Sequence, residues 1–145
     1  MSDEYNLYSR SVKPEPLIEA VIGLANSPQP LNDREVSEII DMSVAYTRAV
    51  IQLGTELGLI KQVGDNYSIV QNVKEEARKM SPEQGFVLLN RYAQRYEPFM
   101  TFISFIDKGF NPDRSANTVK TLYSIEVPSD IIKNNLLIWV KGQTC

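Results

Sequence analysis

The sequence contains no histidine, and its single cysteine, Cys145, is the last residue. These absences exclude cysteine–histidine catalysis, the common zinc sites and an internal disulfide framework. The chain also has no glycine-rich phosphate loop and no Gly-x-Ser-x-Gly nucleophile turn. We therefore expect a protein that is not an enzyme and that needs no cofactor.

Long hydrophobic runs are absent as well. The longest apolar stretch with almost no charge, residues 98–106, is much too short to cross a bilayer. Residues 1–10 are polar and carry acids, unlike a signal or transit peptide. A single cysteine suits a reducing compartment. We expect a cytoplasmic protein without a membrane partner.

The chain has no surplus of basic residues. Its 145 residues are 43% hydrophobic and 23% charged, with a net charge of −3, which is typical of one globular domain or two small ones. Residues 1–72 carry five basic and ten acidic side chains, and residues 73–145 carry ten and eight. A dedicated DNA-binding protein usually shows a basic footprint, so this composition counts against DNA binding.

Local signals in the first half predict three helices followed by a hairpin. Residues 1–15 form a polar arm, and Pro16 can start the first helix. Asn32, with Glu35 three residues later, predicts a capped second helix whose buried stripe comprises Val36, Ile39 and Ile40. Ser43 can cap a third helix that Gly58 ends. Two alternating segments, 59–63 and 67–70, flank the turn Gly64-Asp65-Asn66 and predict a β-hairpin.

The second half indicates helices only. Residues 73–80 form a short charged helix, and Ser81-Pro82-Glu83-Gln84 is a strong helix start. Pro98 begins an apolar helix that Gly109 ends. Residues 119–125 and 129–141 then give a helix, a turn and another helix, a weak echo of the first helix-turn-helix. Either this is a lone helical pair, or the chain is the N-terminal part of something longer.

The apolar side chains of this half lie at helical spacing. They predict a core that doubles as a dimer interface, because beyond Tyr96 no basic residue is interleaved with them as in a single-strand binder. The cluster comprises Phe86, Tyr92, Tyr96, Phe99, Met100, Phe102, Ile103, Phe105 and Ile106. Trp139, with Leu136, Leu137 and Val140, belongs to the predicted core of the last helical pair.

Residues 31–70 resemble the winged helix-turn-helix superfamily, in the broad group of MarR- and ArsR-like bacterial and archaeal regulators. "VSEIIDMS" is similar to the first helix and turn of the motif, and "TELGLI" to the end of its recognition helix. The resemblance implies a mostly α fold with a small β-hairpin, a winged helix-turn-helix followed by a helical C-terminal segment. We assign residues 1–15 to the arm, 16–72 to the winged-helix domain and 73–145 to the helical segment, which includes the possible start of a second helix-turn-helix.

The resemblance also implies a candidate DNA surface. A helical wheel gives the third helix an outward face of Ala45, Arg48, Ala49, Gln52, Leu53 and Glu56, with Tyr46 at one edge. Downstream basic residues can contact phosphate, although intervening acids make an ordinary solvated face the better interpretation. The candidate DNA-binding residues are Ser43, Tyr46, Arg48, Gln52, Lys61, Asn66, Lys74 and Arg78.

Three functions are consistent with this sequence. The leading hypothesis is a DNA-binding transcription regulator that binds double-stranded DNA as a homodimer through the aromatic helices. The second is a winged-helix module that binds a protein partner, as an adaptor within a longer multidomain protein. The third is a small-molecule sensor with a pocket among the aromatic helices. No metal site is expected in any of them.

Overall fold

Three helices and a hairpin come first in the chain, and five helices follow. The computed structural model describes residues 12–143, and the side chains of residues 12–137. Within that range the fold is mostly helical with one small antiparallel sheet, as predicted. The elements are α1 Pro14–Asn26, α2 Asp33–Ile40, α3 Val44–Glu56, β1 Ile60–Val63, β2 Asn66–Ile69, α4 Gln71–Lys79, α5 Pro82–Ala93, α6 Glu97–Asp107, α7 Pro112–Leu122 and α8 Ser129–Gln143.

The helix starts are set by local side-chain hydrogen bonds. The Asn32 side chain accepts the Glu35 amide proton at 2.8 Å, and the Glu35 carboxylate accepts the Asn32 amide proton at 2.9 Å. Ser43 caps α3 by accepting the Tyr46 amide proton at 3.1 Å. At the start of α5, Ser81 and Gln84 form the same reciprocal pair of hydrogen bonds, a capping box. The caps predicted from the sequence are confirmed, because they depend only on neighbouring residues.

The hairpin packs beside α3 and pairs with one residue ahead of α2. Strands β1 and β2 are antiparallel, with Ile60 opposite Ile69, and Gly64 in the turn has a φ of 64°. The Leu31 amide donates to the Tyr67 carbonyl at 3.0 Å, and the Tyr67 amide donates back at 2.7 Å. This single bridge ties the α1–α2 connection to the hairpin, a long-range contact that the sequence did not predict.

Helix α1 is at the centre of the packing. It lies against α2, α3, α4 and α5, and Leu17, Ile18 and Val21 are fully buried in it. The approach of α5 to α1 is so close that a β-carbon added at Gly85 would lie 2.5 Å from Ile18 Cγ2. Buried residues from Val12 to Leu136 form one hydrophobic core. Helices α4–α8 therefore share one core with α1–α3 and the hairpin.

Most of the aromatic cluster lies in this core. Tyr92, Tyr96, Phe99 and Phe102 are buried within the chain, whereas Met100 is exposed. Phe86, Ile103, Phe105 and Ile106 are half-buried. The predicted use of these residues as core is confirmed for the four buried aromatics. Among the residues that the structure describes, no helix is both long enough and apolar enough to cross a membrane.

Three local predictions were wrong. Helix α1 begins at Pro14 rather than Pro16, since a proline fits either of the first positions of a helix. Helix α7 begins at Pro112 rather than Val119, because Asn111 caps it by accepting the Arg114 amide proton at 2.8 Å. Ile39 was predicted to be buried but is 43% exposed, because the buried side of α2 is the narrower stripe that includes Val36 and Ile40.

Some predictions concern residues outside the described part of the chain. Most of the predicted polar arm, residues 1–11, and the terminal Cys145 lie outside it. The predicted burial of Trp139 and Val140 also lies outside it, because side chains are described only to residue 137.

Candidate nucleic-acid interface

One face of α3 is open to solvent. Its exposed residues, Ala45, Arg48, Gln52 and Thr55, recur at intervals of three or four, which places them on one side of a helix. Thr47, Val50, Ile51 and Gly54 are buried on the other side. Arg48 and Gln52, both predicted to point outward, lie one turn apart on the open side.

The open face is narrower than predicted. Ala49 and Leu53 were expected to point outward, but they are 6% and 3% exposed. Helices α1 and α2 and strand β1 all pack on α3, and Tyr96 reaches its C-terminal end by donating a hydrogen bond to Glu56 at 3.2 Å. These neighbours cover a wider arc of α3 than the wheel assumed, because a wheel contains no information about how many elements surround a helix.

The Arg48 side chain forms an ion pair with an acidic residue on the preceding helix. Its Nε lies 2.7 Å from Oδ2 of Asp33, the first residue of α2. The hydrogen bond from Arg48 holds the pKa of Asp33 below its usual value. The Arg48 side chain remains 67% exposed, so most of the guanidinium is still open to solvent. In an exposed ion pair of this kind the attraction is weak, and a competing anion can displace the carboxylate.

Two of the predicted site residues form hydrogen bonds that stabilise the helices themselves. The Tyr46 hydroxyl accepts the Lys13 amide proton at 3.1 Å, which turns its half-buried side chain toward the start of α1. The Ser43 hydroxyl is the cap of α3. Ser43 stays exposed, whereas Tyr46 does not lie on the open face with Arg48 and Gln52.

A groove of about 470 Å³ runs between α3 and the hairpin. From α3 it is lined by the open-face residues Arg48, Gln52 and Thr55, and from the hairpin by Gln62 and Tyr67. Ile51 and Glu56 complete the lining. Apart from Ile51, every lining side chain can form hydrogen bonds. The structure therefore brings Arg48 and Gln52 together in a groove that contains several hydrogen-bonding side chains.

The predicted hairpin residues do not line this groove. Alternate residues of a strand point to opposite faces, and cross-strand partners share a face. Gln62 is paired with Tyr67, and Lys61 is paired with Ser68. Lys61 and Asn66 consequently lie on the face of the hairpin opposite to the groove. They can reach a ligand only around the edge or the tip of the hairpin.

The predicted basic residues of α4 lie among acids. Lys74 is half-buried and Arg78 is exposed. Arg78 and Lys79 both approach the Glu75 carboxylate, at 3.6 and 3.8 Å. These distances are long and the pairs are exposed, so they contribute little to stability. Their charges are partly offset, which is the solvated mixed-charge face that the sequence favoured.

The surface next to α3 is negative. Helix α2 and its C-cap carry Asp33, Glu35, Glu38 and Asp41, against one basic residue, Arg34. Except for Asp33, which is half-buried, these acids are exposed. A polyanion approaching the groove therefore meets repulsion from α2 that the cations around α3 must offset.

Sequence reasoning missed several residues of this region, among them Thr55, Gln62, Tyr67 and Asp33. Thr55 lies seven residues after Arg48, which places it on the same face, so a strict reading of the helical period would have found it. Gln62 lies two positions after the buried Ile60 on β1 and therefore on the same face of the strand, which is a weaker signal. The pairing of Asp33 with Arg48 joins residues 15 positions apart, and no local pattern predicts it.

Comparisons with known proteins add no assignment. Scans against protein-family models, curated proteins and solved structures found nothing that matches this chain.

Proposed function

We propose that this chain is a winged helix-turn-helix protein that binds double-stranded DNA through α3, as a cytoplasmic transcription regulator. The observation that carries the proposal is the position of Arg48 and Gln52, which lie one turn apart on the open face of α3 and line its groove with the hairpin. The element order supports the fold assignment. The Leu31–Tyr67 bridge adds a minimal third strand between α1 and α2, and the hairpin takes the place of the wing.

The open face has suitable chemistry for reading bases. Arginine can donate two hydrogen bonds to guanine, and glutamine can bind the adenine edge. The Ala45 methyl group can contact the methyl of thymine. Contact by Arg48 requires that the ligand replace the Asp33 carboxylate, and the exposure of this ion pair makes the exchange inexpensive.

The phosphate contacts are few in this proposal. Lys61 and Asn66 at the hairpin, with Lys74 and Arg78 on α4, are the candidates, and Ser43 at the start of α3 is another. The acids of α2 oppose them. We therefore expect modest affinity with a shallow salt dependence, because each phosphate contact adds only about 0.9 to the log–log slope of affinity against salt.

The test is duplex binding at low salt by wild type and by Arg48→Ala. We expect Arg48→Ala to weaken binding by about 1–3 kcal/mol, or roughly 5- to 150-fold, since it removes a base contact as well as a charge. The matched control is Arg95→Ala. Arg95 is also exposed and rests on the Tyr92 ring at 4.4 Å, so this variant changes the net charge equally. Equal effects of the two variants would show that α3 does not read the duplex.

We also propose that the chain forms a homodimer through α6. Met100 is exposed, and Ile103, Phe105 and Ile106 are half-buried, so this helix retains apolar surface after the core is filled. Sedimentation equilibrium should give a dimer for wild type and a monomer for Met100→Lys. The matched control Val87→Lys, which changes an exposed residue on α5, should stay dimeric. A monomeric wild type would contradict the proposal.

A protein-interaction module is the second candidate. Ile39 and Met42 are both exposed beside a groove of about 520 Å³. Glu15, Glu19 and Asp41 also line this groove, so an apolar segment with basic flanks would fit it. The duplex measurement separates the two functions, because a protein-interaction module would show no duplex binding even at low salt.

A further inference from the structure

In the helix pair α7–α8, the first helix ends in the same way as the first helix of the pair α2–α3. In residues 12–143 only two residues other than glycine have a positive φ, Asp41 at 56° and Ser124 at 52°. Each follows the first helix of a pair. The next amide donates to a carbonyl five residues back, from Met42 to Ser37 at 3.1 Å and from Ile125 to Lys120 at 3.0 Å. Both helices thus stop with the same left-handed turn.

An ion pair in the equivalent position links the two helices of each pair. Arg48 is the fifth residue of α3 and binds Asp33 in the first turn of α2. Lys133 is the fifth residue of α8, and its Nζ lies 2.8 Å from Oδ1 of Asp113 in the first turn of α7. In both pairs an asparagine caps the first helix. The cap, the stop and the ion pair are three separate features, and all three recur in the same order.

The two pairs differ mainly in length. Helix α7 has 11 residues and α2 has 8, and the connection after the left-handed residue is longer in the second pair. The Lys120 ammonium group holds this longer connection by donating to the carbonyls of Ile125 and Val127 at 2.9 and 2.8 Å. The second helix is thereby fixed against the first in spite of the longer loop.

We propose that α7–α8 is a second helix-turn-helix unit and that α8, around Lys133 and Asn134, is a second contact surface for double-stranded DNA. The class of ligand rests on the proposed function of α3. The charge supports it independently, because residues 111–145 carry four basic and three acidic side chains, against three and six in residues 31–72. Asn134 is exposed beside Lys133, and it adds an amide that can bind phosphate or a base edge.

Lys133 contacts the duplex after a phosphate replaces the carboxylate of Asp113. The Asp113 side chain is 79% exposed, so the acid can turn into solvent while the ammonium group stays in place. Asp113 therefore competes with the ligand for the cation. Removing the acid should strengthen binding, whereas removing the cation should weaken it.

The experiment measures binding of a labelled duplex of about three helical turns across about 50 to 200 mM salt. We expect Lys133→Ala to lower affinity several-fold at the lowest salt and to reduce the log–log salt slope by about one. Lys133→Gln, which keeps more of the side chain, should behave in the same way. Asp113→Asn should raise affinity several-fold. The matched controls are Lys108→Ala and Glu83→Gln, which change exposed residues outside α7 and α8 by the same charge.

The variants separate this inference from the proposed function. If Arg48→Ala weakens binding while both Lys133 variants match the Lys108→Ala control, the second surface is refuted and the α3 proposal stands. If the Lys133 variants weaken binding while Arg48→Ala matches its own control, α3 is not the reader and the second surface stands. An Asp113→Asn affinity no higher than that of Glu83→Gln would refute the competition between Asp113 and the ligand. A wild type that does not bind refutes both proposals.

Discussion

Replacing Gly54 with alanine should strain the contact between α3 and the hairpin. A β-carbon at this position would lie 2.5 Å from Ile60 Cδ1, 3.0 Å from Ile60 Cγ1 and 3.1 Å from Leu17 Cδ1. Both neighbours are fully buried, so neither can move aside freely. Overpacking of this kind costs about 1–3 kcal/mol, and the better helix propensity of alanine offsets about 1 kcal/mol. We expect a net loss of up to about 2 kcal/mol in the free energy of unfolding.

Urea unfolding followed by circular dichroism measures this loss, and a double-mutant cycle assigns its cause. Ile60→Val removes the nearest atom, and alone it should cost about 1 kcal/mol. In the Gly54→Ala background it should cost less or even stabilise, which gives a coupling of about 1 kcal/mol. Gly23→Ala is the matched control, since its neighbour Ile39 is partly exposed and can turn away. Additivity within about 0.5 kcal/mol would refute the proposed contact.

Two further predictions concern stability. Arg91 hydrogen-bonds Glu76 and holds its pKa below the usual 4.5, so the stabilisation is present above about pH 4.5 and is lost as the pH falls through the lowered pKa. Because both side chains are partly exposed, Glu76→Gln should lower the free energy of unfolding by at most about 1 kcal/mol at pH 7, and urea titrations at low pH should show no difference from wild type. Asp41→Gly and Ser124→Gly should each stabilise the fold by about 0.5–1 kcal/mol, because glycine adopts a positive φ without steric cost; a lower urea midpoint for either would contradict this.

The sequence predicted those parts of the fold that short-range chemistry determines. The Asn32 and Ser81 capping boxes, the Ser43 cap and the Gly64 turn each depend on residues within a few positions of one another, and the structure contains all of them. The start of α7 could also have been predicted from the sequence, because Asn111 followed by a proline is a strong helix start. The apolar spacing of residues 119–125 indicated a later start instead.

The parts that were not predicted depend on tertiary packing. The burial of Ala49 and Leu53 follows from how many elements surround α3, and the Leu31 bridge joins residues that are 36 positions apart. The ion pair of Arg48 with Asp33 is likewise set by the crossing of two helices. For the candidate site, the sequence identified Arg48 and Gln52 but gave no indication of the groove, its hairpin side chains or the competing acid.

The most direct test of DNA binding by α3 is the salt dependence of duplex binding by the wild-type chain. Because the proposed surface holds few cations, we expect measurable binding at about 50 mM salt. The log–log slope of affinity against salt should correspond to about two to four phosphate contacts, at about 0.9 per phosphate. No binding at that salt concentration, or an affinity that does not change with salt, would contradict the claim that this helix-turn-helix contacts DNA.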